Sequence, residues 1–169
     1  MIHRARFEAY LDIETTGLYA VRDEITVVGV YLTNGSEEKF TQLVGCDITG
    51  EAILNALEGT GTLYTYNGAK FDLPFINTRC GVNLVSIYSH HDLMKSCWNN
   101  NLYGGLKNVE RCLGIERRLK DVNGFEAVKL WWRYVNDYDQ DALKTLLEYN
   151  REDVVNLKTL KDRLIKHQL

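Results

Sequence analysis

The chain has 169 residues, 45% of them hydrophobic, and a formal net charge of -3. These values predict one packed domain, residues 1–169, rather than a disordered chain. A protein that holds duplex DNA through many phosphate contacts is usually basic, so the acidic balance excludes that class. Any contact with nucleic acid is expected to be local, short or bridged by metal.

The four cysteines lie far apart and lack the C-x-x-C spacing that is typical of zinc sites. We expect reduced and mostly buried thiols at these positions, Cys46, Cys80, Cys97 and Cys112. No apolar run reaches the roughly 20 residues that are needed to cross a bilayer. The basic residues 1–6 are followed by a strand pattern rather than by a signal-peptide core. The sequence therefore predicts a soluble, intracellular protein, located in the cytoplasm, with no membrane partner.

The first third of the chain reads as strands. Apolar and polar residues alternate over residues 7–13, and β-branched residues are frequent over residues 24–32. Asn34 and Gly35 form a strong turn signal before a third strand at residues 38–44. Three strands with short connections predict an antiparallel meander.

Helices and strands then alternate. Asp47 or Thr49 caps a helix that runs to about residue 57, and a strand at residues 62–66, a helix at 70–80 and a fifth strand at 85–88 follow. Helical spacing predicts the remaining segments, at residues 92–98, 105–113, 125–135 and 139–167, the last with a bend near Asn150. This order predicts an α/β fold, a mixed five-stranded sheet flanked by helices.

Asp12 and Glu14 stand two residues apart at the end of the first strand, in the segment YLDIETTGL. A strand points such residues to the same face, about 6–7 Å apart. Two carboxylates that close repel each other and resist burial unless a cation lies between them. The pair therefore indicates a metal site, although a solvated strand end gives the same pattern.

Two further carboxylates lie at positions where a site could form. Asp72 follows a strand and a glycine turn at the start of a helix, where it either caps the helix or joins a site at the carboxyl ends of the strands. Tyr149 and Asp153 share a helix face, because they are four residues apart. Asp153 lies along the apolar stripe, where it must pair with a lysine or bind a metal.

Four carboxylates without histidine or cysteine suit hard cations such as Mg²⁺ or Mn²⁺. The three segments, in this order, resemble the Exo I, Exo II and Exo III motifs of the DEDD, or DnaQ-like, 3′–5′ exonucleases of the ribonuclease H-like superfamily. Tyr149 resembles the tyrosine of the DEDDy subtype. The resemblance extends from Asp12 to Asp153, which is nearly the whole chain.

The resemblance implies a ribonuclease H-like mixed sheet whose first three strands are antiparallel. It also implies a 3′–5′ exonuclease that acts on single-stranded DNA or RNA 3′ ends with two divalent ions, Mg²⁺ or Mn²⁺. Asp12, Glu14 and Asp153 would hold the ion that activates water. Asp12 would bridge to a second ion that Asp72 also holds, often through water, and Tyr149 would orient the attacking water.

Residues around these motifs are expected to contact substrate. Thr16, Gly17 and Leu18 follow the first motif, where Gly17 would let the chain turn close to the terminal nucleotide and Leu18 would wedge against its base. A plain turn after the strand accounts for the same residues. The resemblance further implies that Asn67 and Phe71 support the site.

Other polar and aromatic residues have two explanations each. Asp92 either supports the site or caps a helix. The loop at residues 103–108 could bind phosphate at a helix start. The arginines and the lysine beyond it could form a track for nucleic acid or a solvated helix face, namely Arg111, Arg117, Arg118 and Lys120. Trp131 and Trp132 could stack on bases or pack in the core.

Two alternative functions remain open. A ribonuclease H-like endonuclease or resolvase would use similar carboxylates, but the spacing of Tyr149 and Asp153 is that of the exonuclease subtype. A catalytically silent nucleic-acid-binding domain would not need four acidic residues, since without metal they repel phosphate.

Overall fold

The computed structural model describes residues 6–166. Five strands form one mixed sheet in the spatial order β3-β2-β1-β4-β5. The strands are β1 Phe7–Thr15, β2 Ile25–Thr33, β3 Glu38–Val44, β4 Thr60–Thr65 and β5 Ser89–Asp92. The first three pair antiparallel, whereas β4 runs parallel to β1 and β5 parallel to β4. The predicted α/β fold, with a mixed five-stranded sheet and an antiparallel start, is confirmed.

Within residues 6–166, six α-helices accompany the sheet. They are α1 Gly50–Ala56, α2 Asp72–Cys80, α3 Leu93–Asn99, α4 Leu106–Cys112, α5 Gly124–Asp137 and α6 Gln140–Lys166. Thr49 caps α1, because its side chain accepts a hydrogen bond from the N–H of Ala52 at 3.1 Å. None of these helices is long and apolar enough to cross a membrane.

The alternation along β1 separates two apolar layers. Phe7, Ala9, Leu11 and Ile13 pack with the buried residues of α1 and α2 on one face of the sheet. Tyr10 packs on the other face with α3, α4 and α6. Since neighbouring strand residues point to opposite faces, Asp12 and Glu14 share the face of Tyr10, beneath α6. The sheet therefore presents its paired carboxylates to the longest helix.

The fifth strand is not where the sequence predicts it. Residues 85–88 were expected to form it, but Leu84–Ser86 is a 3-10 turn and the strand is Ser89–Asp92. The N–H groups of Ile87 and Tyr88 bond back to the carbonyl of Leu84 at 3.2 and 2.9 Å, so they are unavailable to a sheet. Val85 and Ile87 are more than half exposed, which explains why apolar character misled the prediction.

Three smaller predictions concern the last helix, the cysteines and the chain ends. The last helix is continuous from Gln140 to Lys166, so it is not interrupted at Asn150. The four thiols are free, but Cys46 and Cys112 are exposed rather than buried, because each lies in a turn or helix end at the surface. The predictions for residues 1–5 and 167 fall outside the described residues.

Candidate active site

Three of the predicted carboxylates meet at one end of the sheet. One oxygen each of Asp12, Glu14 and Asp153 lies within 4.8 Å of the others. Glu14 and Asp153 are buried, with 7% and 8% of their surface exposed. Carboxylates so close and so poorly hydrated need a compensating positive charge. Asp12 and Glu14 of β1 and Asp153 of α6 thus form one acidic cluster.

A glycine in β2 lets α6 approach the sheet at this point. Gly29 pairs with Asp12, and a Cβ at Gly29 would lie 2.2 Å from Oδ1 of Asn150 and 2.7 Å from Cγ2 of Val154. In the space that the glycine leaves, Asn150 donates to the carbonyl oxygen and to Oδ2 of Asp12, both at 3.3 Å. Gln42 of β3 donates to Oδ1 of Asn150 at 3.0 Å. These contacts fix α6, and with it Asp153, over the end of β1.

Asp72 lies on the same cavity wall but outside the tight cluster. Its Oδ1 accepts a hydrogen bond from the N–H of Ile13 at 3.1 Å, which ties the start of α2 to β1. Only 3% of Asp72 is exposed. The carboxylate is therefore held between the first strand and the second motif, with one oxygen occupied by the backbone.

Burial and mutual repulsion raise the pKa of every carboxyl in the group. For Asp12 and Glu14, burial and then the charges of Asp153 and Asp72 raise the pKa well above its ordinary value. Burial is also the main cause for Asp72 and Asp153. It outweighs the hydrogen bond from Ile13, which lowers the pKa of Asp72, and the charge of Arg117, which lowers that of Asp153. It raises the pKa of Asp72 to about 7 and that of Asp153 to about 6. Without a cation, these groups therefore take up protons more readily than ordinary carboxyls do.

Tyr149 is the fifth predicted catalytic residue, and it lies beside the cluster. It is buried with Val27, Ala127 and Leu146. Burial, followed by the charges of Asp153, Glu14 and Asp12, raises the pKa of its phenol above the ordinary value. The phenol therefore keeps its proton at neutral pH and can act as a hydrogen-bond donor, but not as a base.

A buried arginine adjoins the cluster, and the sequence did not reveal it. Nη1 of Arg117 donates to both carboxylate oxygens of Glu110, at 3.0 and 2.8 Å. The other terminal nitrogen, Nη2, pairs with Oδ1 of Asp153. The side chains of Arg117 and Glu110 are only 6% and 1% exposed. Asn156 holds Glu110 from α6 through a hydrogen bond of 2.9 Å. Burial alone would lower the pKa of Arg117, but the charges and hydrogen bonds of Asp153 and Glu110 outweigh burial, so the pKa is raised.

These contacts bear on two of the alternatives stated for this region. Asp153 pairs with an arginine rather than with a lysine, and Arg117 is not on a solvated face. No spacing rule connects Glu110, Arg117 and Asp153, because the last two are 36 residues apart in the chain.

One cavity of about 590 Å³ brings together all ten predicted site residues. Its walls carry the four carboxylates and Tyr149, together with the five predicted substrate-binding residues, Thr16, Gly17, Leu18, Asn67 and Phe71. Phe125 and Val128 of α5 complete the lining and were not predicted. Leu18 and Phe125 are 75% and 70% exposed, so two exposed apolar side chains lie at the cavity beside the carboxylates.

Hydrogen bonds shape the two loops at the cavity. Gly17 is required by its own loop, because a Cβ there would lie 2.3 Å from Oδ2 of Asp23. Asp23 in turn accepts from the N–H of Tyr19 at 2.9 Å. Asp92 serves both of its expected roles, since it caps α3 through Met94 and accepts from the N–H groups of Asn67 and Ala69 at 2.8 and 3.1 Å. It thus holds the turn that leads to Asp72.

The donor set fits hard divalent cations. All the charged ligands are carboxylate oxygens, which is the set that Mg²⁺ and Mn²⁺ prefer. Oε1 of Glu14 is buried and has no hydrogen-bond partner among residues 6–166. A buried oxygen without a partner is costly, and an ion between the three carboxylates would satisfy it. Trp131 and Trp132 take no part, since Trp131 packs against the core and Trp132 is 44% exposed outside the cavity.

Solved structures resemble this fold at low sequence identity. A family B DNA polymerase from the archaeon Pyrobaculum calidifontis matches 96% of this chain with a TM-score of 0.71 and 18% identity, over 25% of its own length. NrnC of Brucella melitensis, solved with bound Mg²⁺, matches 94% of this chain with a TM-score of 0.62 and 21% identity, over 72% of its length. Both likenesses concern the fold.

Sequence comparison gives the family. The Bacillus subtilis (strain 168) protein YprB is 32% identical over 111 residues, which are 59% of this chain and 26% of YprB. The chain thus spans about a quarter of the length of YprB and of the archaeal polymerase. A family model described as the RNase_H superfamily matches residues 9–165. The chain therefore belongs to the RNase_H superfamily.

Proposed function

We propose that the protein is a metal-dependent 3′–5′ exonuclease of the DEDDy subtype that acts on single-stranded DNA or RNA ends. The proposal rests on the meeting of three carboxylates within 4.8 Å, one of which, Glu14, has a buried oxygen without a hydrogen-bond partner among residues 6–166. Fold likeness to NrnC, a protein solved with bound Mg²⁺ and with pGG, agrees with a nucleic-acid substrate and a divalent ion.

The ligands divide as the motifs suggest. Asp12, Glu14 and Asp153 would hold one divalent ion, and Asp12 and Asp72 a second. Two such ions would lower the pKa of a bound water, neutralise the phosphate and stabilise the leaving 3′-oxygen. Four carboxylates and two divalent ions have opposite charges of equal size, so the occupied site would be near neutral before substrate binds.

The protein's own groups orient the reaction. The phenol of Tyr149 keeps its proton, so it would donate a hydrogen bond to position the attacking water rather than remove a proton from it. Leu18 and Phe125 would enclose the terminal base in the 590 Å³ cavity. The oxygen of water would bond to phosphorus as water gives up a proton to solvent. The bond to the 3′-oxygen would break, the 3′-oxygen would take up a proton, and a nucleoside 5′-monophosphate would leave.

An end-labelled strand assay tests the proposal. Single-stranded DNA and RNA are incubated with Mg²⁺ or Mn²⁺, with and without chelator, and the products are separated by length. We expect stepwise loss of mononucleotides from the 3′ end only when metal is present. Internal cuts would instead indicate an endonuclease, and intact strands a silent binding domain.

Matched variants assign the residues. Asp12→Asn and Asp153→Asn are expected to lower the rate at least about 1,000-fold, because they remove ligands of ions on which the chemistry depends. Tyr149→Phe should lower kcat and leave Mn²⁺ binding, measured by calorimetry, within twofold. Asp121→Asn changes an exposed aspartate outside the cavity and serves as the control. Wild-type rates in Asp12→Asn would refute the assignment.

A further inference from the structure

A second hollow, of about 660 Å³, lies between α4 and the loop that follows it. Four of its eight lining residues are basic, namely Lys107, Arg111, Arg117 and Lys120. Of the two acidic lining residues, Glu110 is already paired with Arg117. Among residues 6–166, Lys107, Arg111 and Lys120 form no salt bridge. The hollow is thus a positive concavity on a chain whose net charge is -3.

This hollow shares a wall with the carboxylate cavity. The amine of Lys107 lies 5.1 Å from the ring centre of Tyr149, and the guanidinium of Arg117 lies 5.5 Å from it. Arg117 also pairs with Asp153. Tyr149 and Asp153 line the first cavity, so residues of the second hollow contact residues of the first directly.

The chemistry of the hollow suits a chain of phosphates. Lysine and arginine are the side chains that bind phosphate oxygens, and clustered cations beside an acidic site would offset its repulsion of an anionic strand. If the terminal nucleoside occupies the first cavity and its phosphodiester lies at the carboxylates, the strand must leave on another side. The basic hollow is the neighbouring surface with the complementary charge.

We infer that this hollow binds the phosphodiesters on the 5′ side of the bond that is cut, an inference that rests on the proposed exonuclease function. On this inference, Arg111 and Lys120 bind the nucleic-acid strand, and the reacting phosphodiester lies in the first cavity. These contacts should increase kcat/KM for strands and leave it unchanged for a substrate without a nucleotide on the 5′ side. They should also make strand cleavage more sensitive to salt.

Two substrates separate the two hollows. The first is a single-stranded decamer, and the second is the p-nitrophenyl ester of thymidine 5′-phosphate, in which nitrophenol replaces the preceding nucleotide. The variant Arg111→Ala/Lys120→Ala removes two exposed charges. The control Lys144→Ala/Arg163→Ala removes two exposed charges of α6, so both variants have the same net charge.

For Arg111→Ala/Lys120→Ala, we expect kcat/KM on the decamer to fall at least fivefold, mainly through KM, and that on the ester to change less than twofold. The slope of log kcat/KM against log salt should become shallower by about 1.4, since each phosphate contact on a single strand contributes about 0.7. The control variant should match the wild type on both substrates. Thermal unfolding should show all three proteins equally folded.

The possible results have different meanings. An unchanged KM on the decamer, an equal loss on both substrates, or an equal loss in the control variant would overturn the inference and leave the exonuclease proposal standing. A wild-type protein that cleaves neither substrate with Mn²⁺ would instead overturn the proposed function itself.

Discussion

Arg117 takes one oxygen of Asp153 and leaves the other free for an ion. Glu110 accepts from the guanidinium, and Asn156 in turn donates to Glu110, so the position of Arg117 is fixed by buried contacts rather than by solvent. Groups that orient metal ligands typically change metal affinity or activity by about 10- to 100-fold when they are removed. We therefore regard Arg117 as a positioning residue for Asp153.

Arg117→Met tests this role at the level of one residue. The variant should lose about 10- to 100-fold in kcat, and it should also unfold at lower temperature, because Glu110 is left buried and unpaired at a cost of about 3–5 kcal/mol. Adding Glu110→Leu removes the unpaired charge, so stability should recover while kcat stays low. The measurements are thermal unfolding and the decamer assay.

The control is Arg118→Met, which changes the next residue, an arginine whose side chain is 81% exposed. It should alter neither stability nor kcat by more than twofold. Recovery of activity in the double variant would show that Arg117 has only a structural role.

The raised pKa of Asp72 predicts how stability depends on pH without metal. Burial raises this pKa to about 7 from an ordinary 3.8, so the folded state binds the proton more tightly than the unfolded state does. The resulting stabilisation is complete below the unfolded pKa and is lost as pH rises through about 7. In chelator, the melting temperature should therefore fall between pH 4 and pH 7.5. The loss should be about 2–4 kcal/mol, at 1.4 kcal/mol per pKa unit.

Asp72→Asn keeps an acceptor for the N–H of Ile13 and cannot titrate. Its melting temperature should fall less over the same range, with Asp12, Glu14 and Asp153 responsible for the part that remains. A wild-type melting temperature that rises across this range in chelator would contradict the assignment of a raised pKa.

At the level of elements, the approach of α6 to β2 determines whether the site can form. Gly29→Ala would place its methyl group within 2.2 Å of Asn150, so the helix must shift away from the sheet. Overpacking of this kind costs about 1–3 kcal/mol. We expect a melting temperature lower by several degrees and a loss of exonuclease activity of more than tenfold, because Asn150 and Asp153 move away from Asp12.

Gly105→Ala is the matched control, since a Cβ at Gly105 meets no atom within 4 Å. It should behave like the wild type in thermal unfolding and in the decamer assay. If Gly29→Ala kept full activity, the close contact between α6 and β2 would not be needed for the site.

The sequence predicts elements well where their pattern is apolar and periodic. The alternation in β1 and the leucine stripe of α6 are such cases, and both are observed. The strand β5 was missed because its sequence, SHHD, is polar, and it joins the sheet through backbone pairing to β4 alone. The helix α6 runs unbroken through Asn150, whose side chain bonds across to Asp12 and Gln42.

The site was predictable only in part for a similar reason. Carboxylates in short motifs can be read from spacing, and the cavity brings all of them together. The pairing of Glu110, Arg117 and Asp153 depends on how α4, its loop and α6 pack, which no local pattern encodes. The exposed Phe125 likewise lies 24 or more residues from any motif, and only the packing of α5 brings it to the cavity.

At the level of the whole molecule, metal should act as a structural ligand. The carboxylates repel one another in the folded protein and separate in the unfolded chain, so an ion binds the folded state preferentially. Mn²⁺ at about 100 times its dissociation constant should add about 2.7 kcal/mol of stability. For a chain of this size, that corresponds to a rise of about 5–10 °C in melting temperature.

Differential scanning fluorimetry measures this rise. The shift should disappear in Asp153→Asn and persist in Asp121→Asn, which changes an exposed residue outside the cavity. An equal shift in Asp153→Asn would mean that the ion stabilises the protein elsewhere.

The hydrogen bonds between Asn150 and Asp12 join residues 138 positions apart. A nascent chain on the ribosome can fold its meander of strands early, but it cannot assemble the acidic cluster until α6 has emerged from the exit tunnel. Partial translation products, or fragments clipped before α6, would therefore carry the first two motifs without nuclease activity. Any activity that depends on the acidic cluster would begin only once synthesis of α6 is complete.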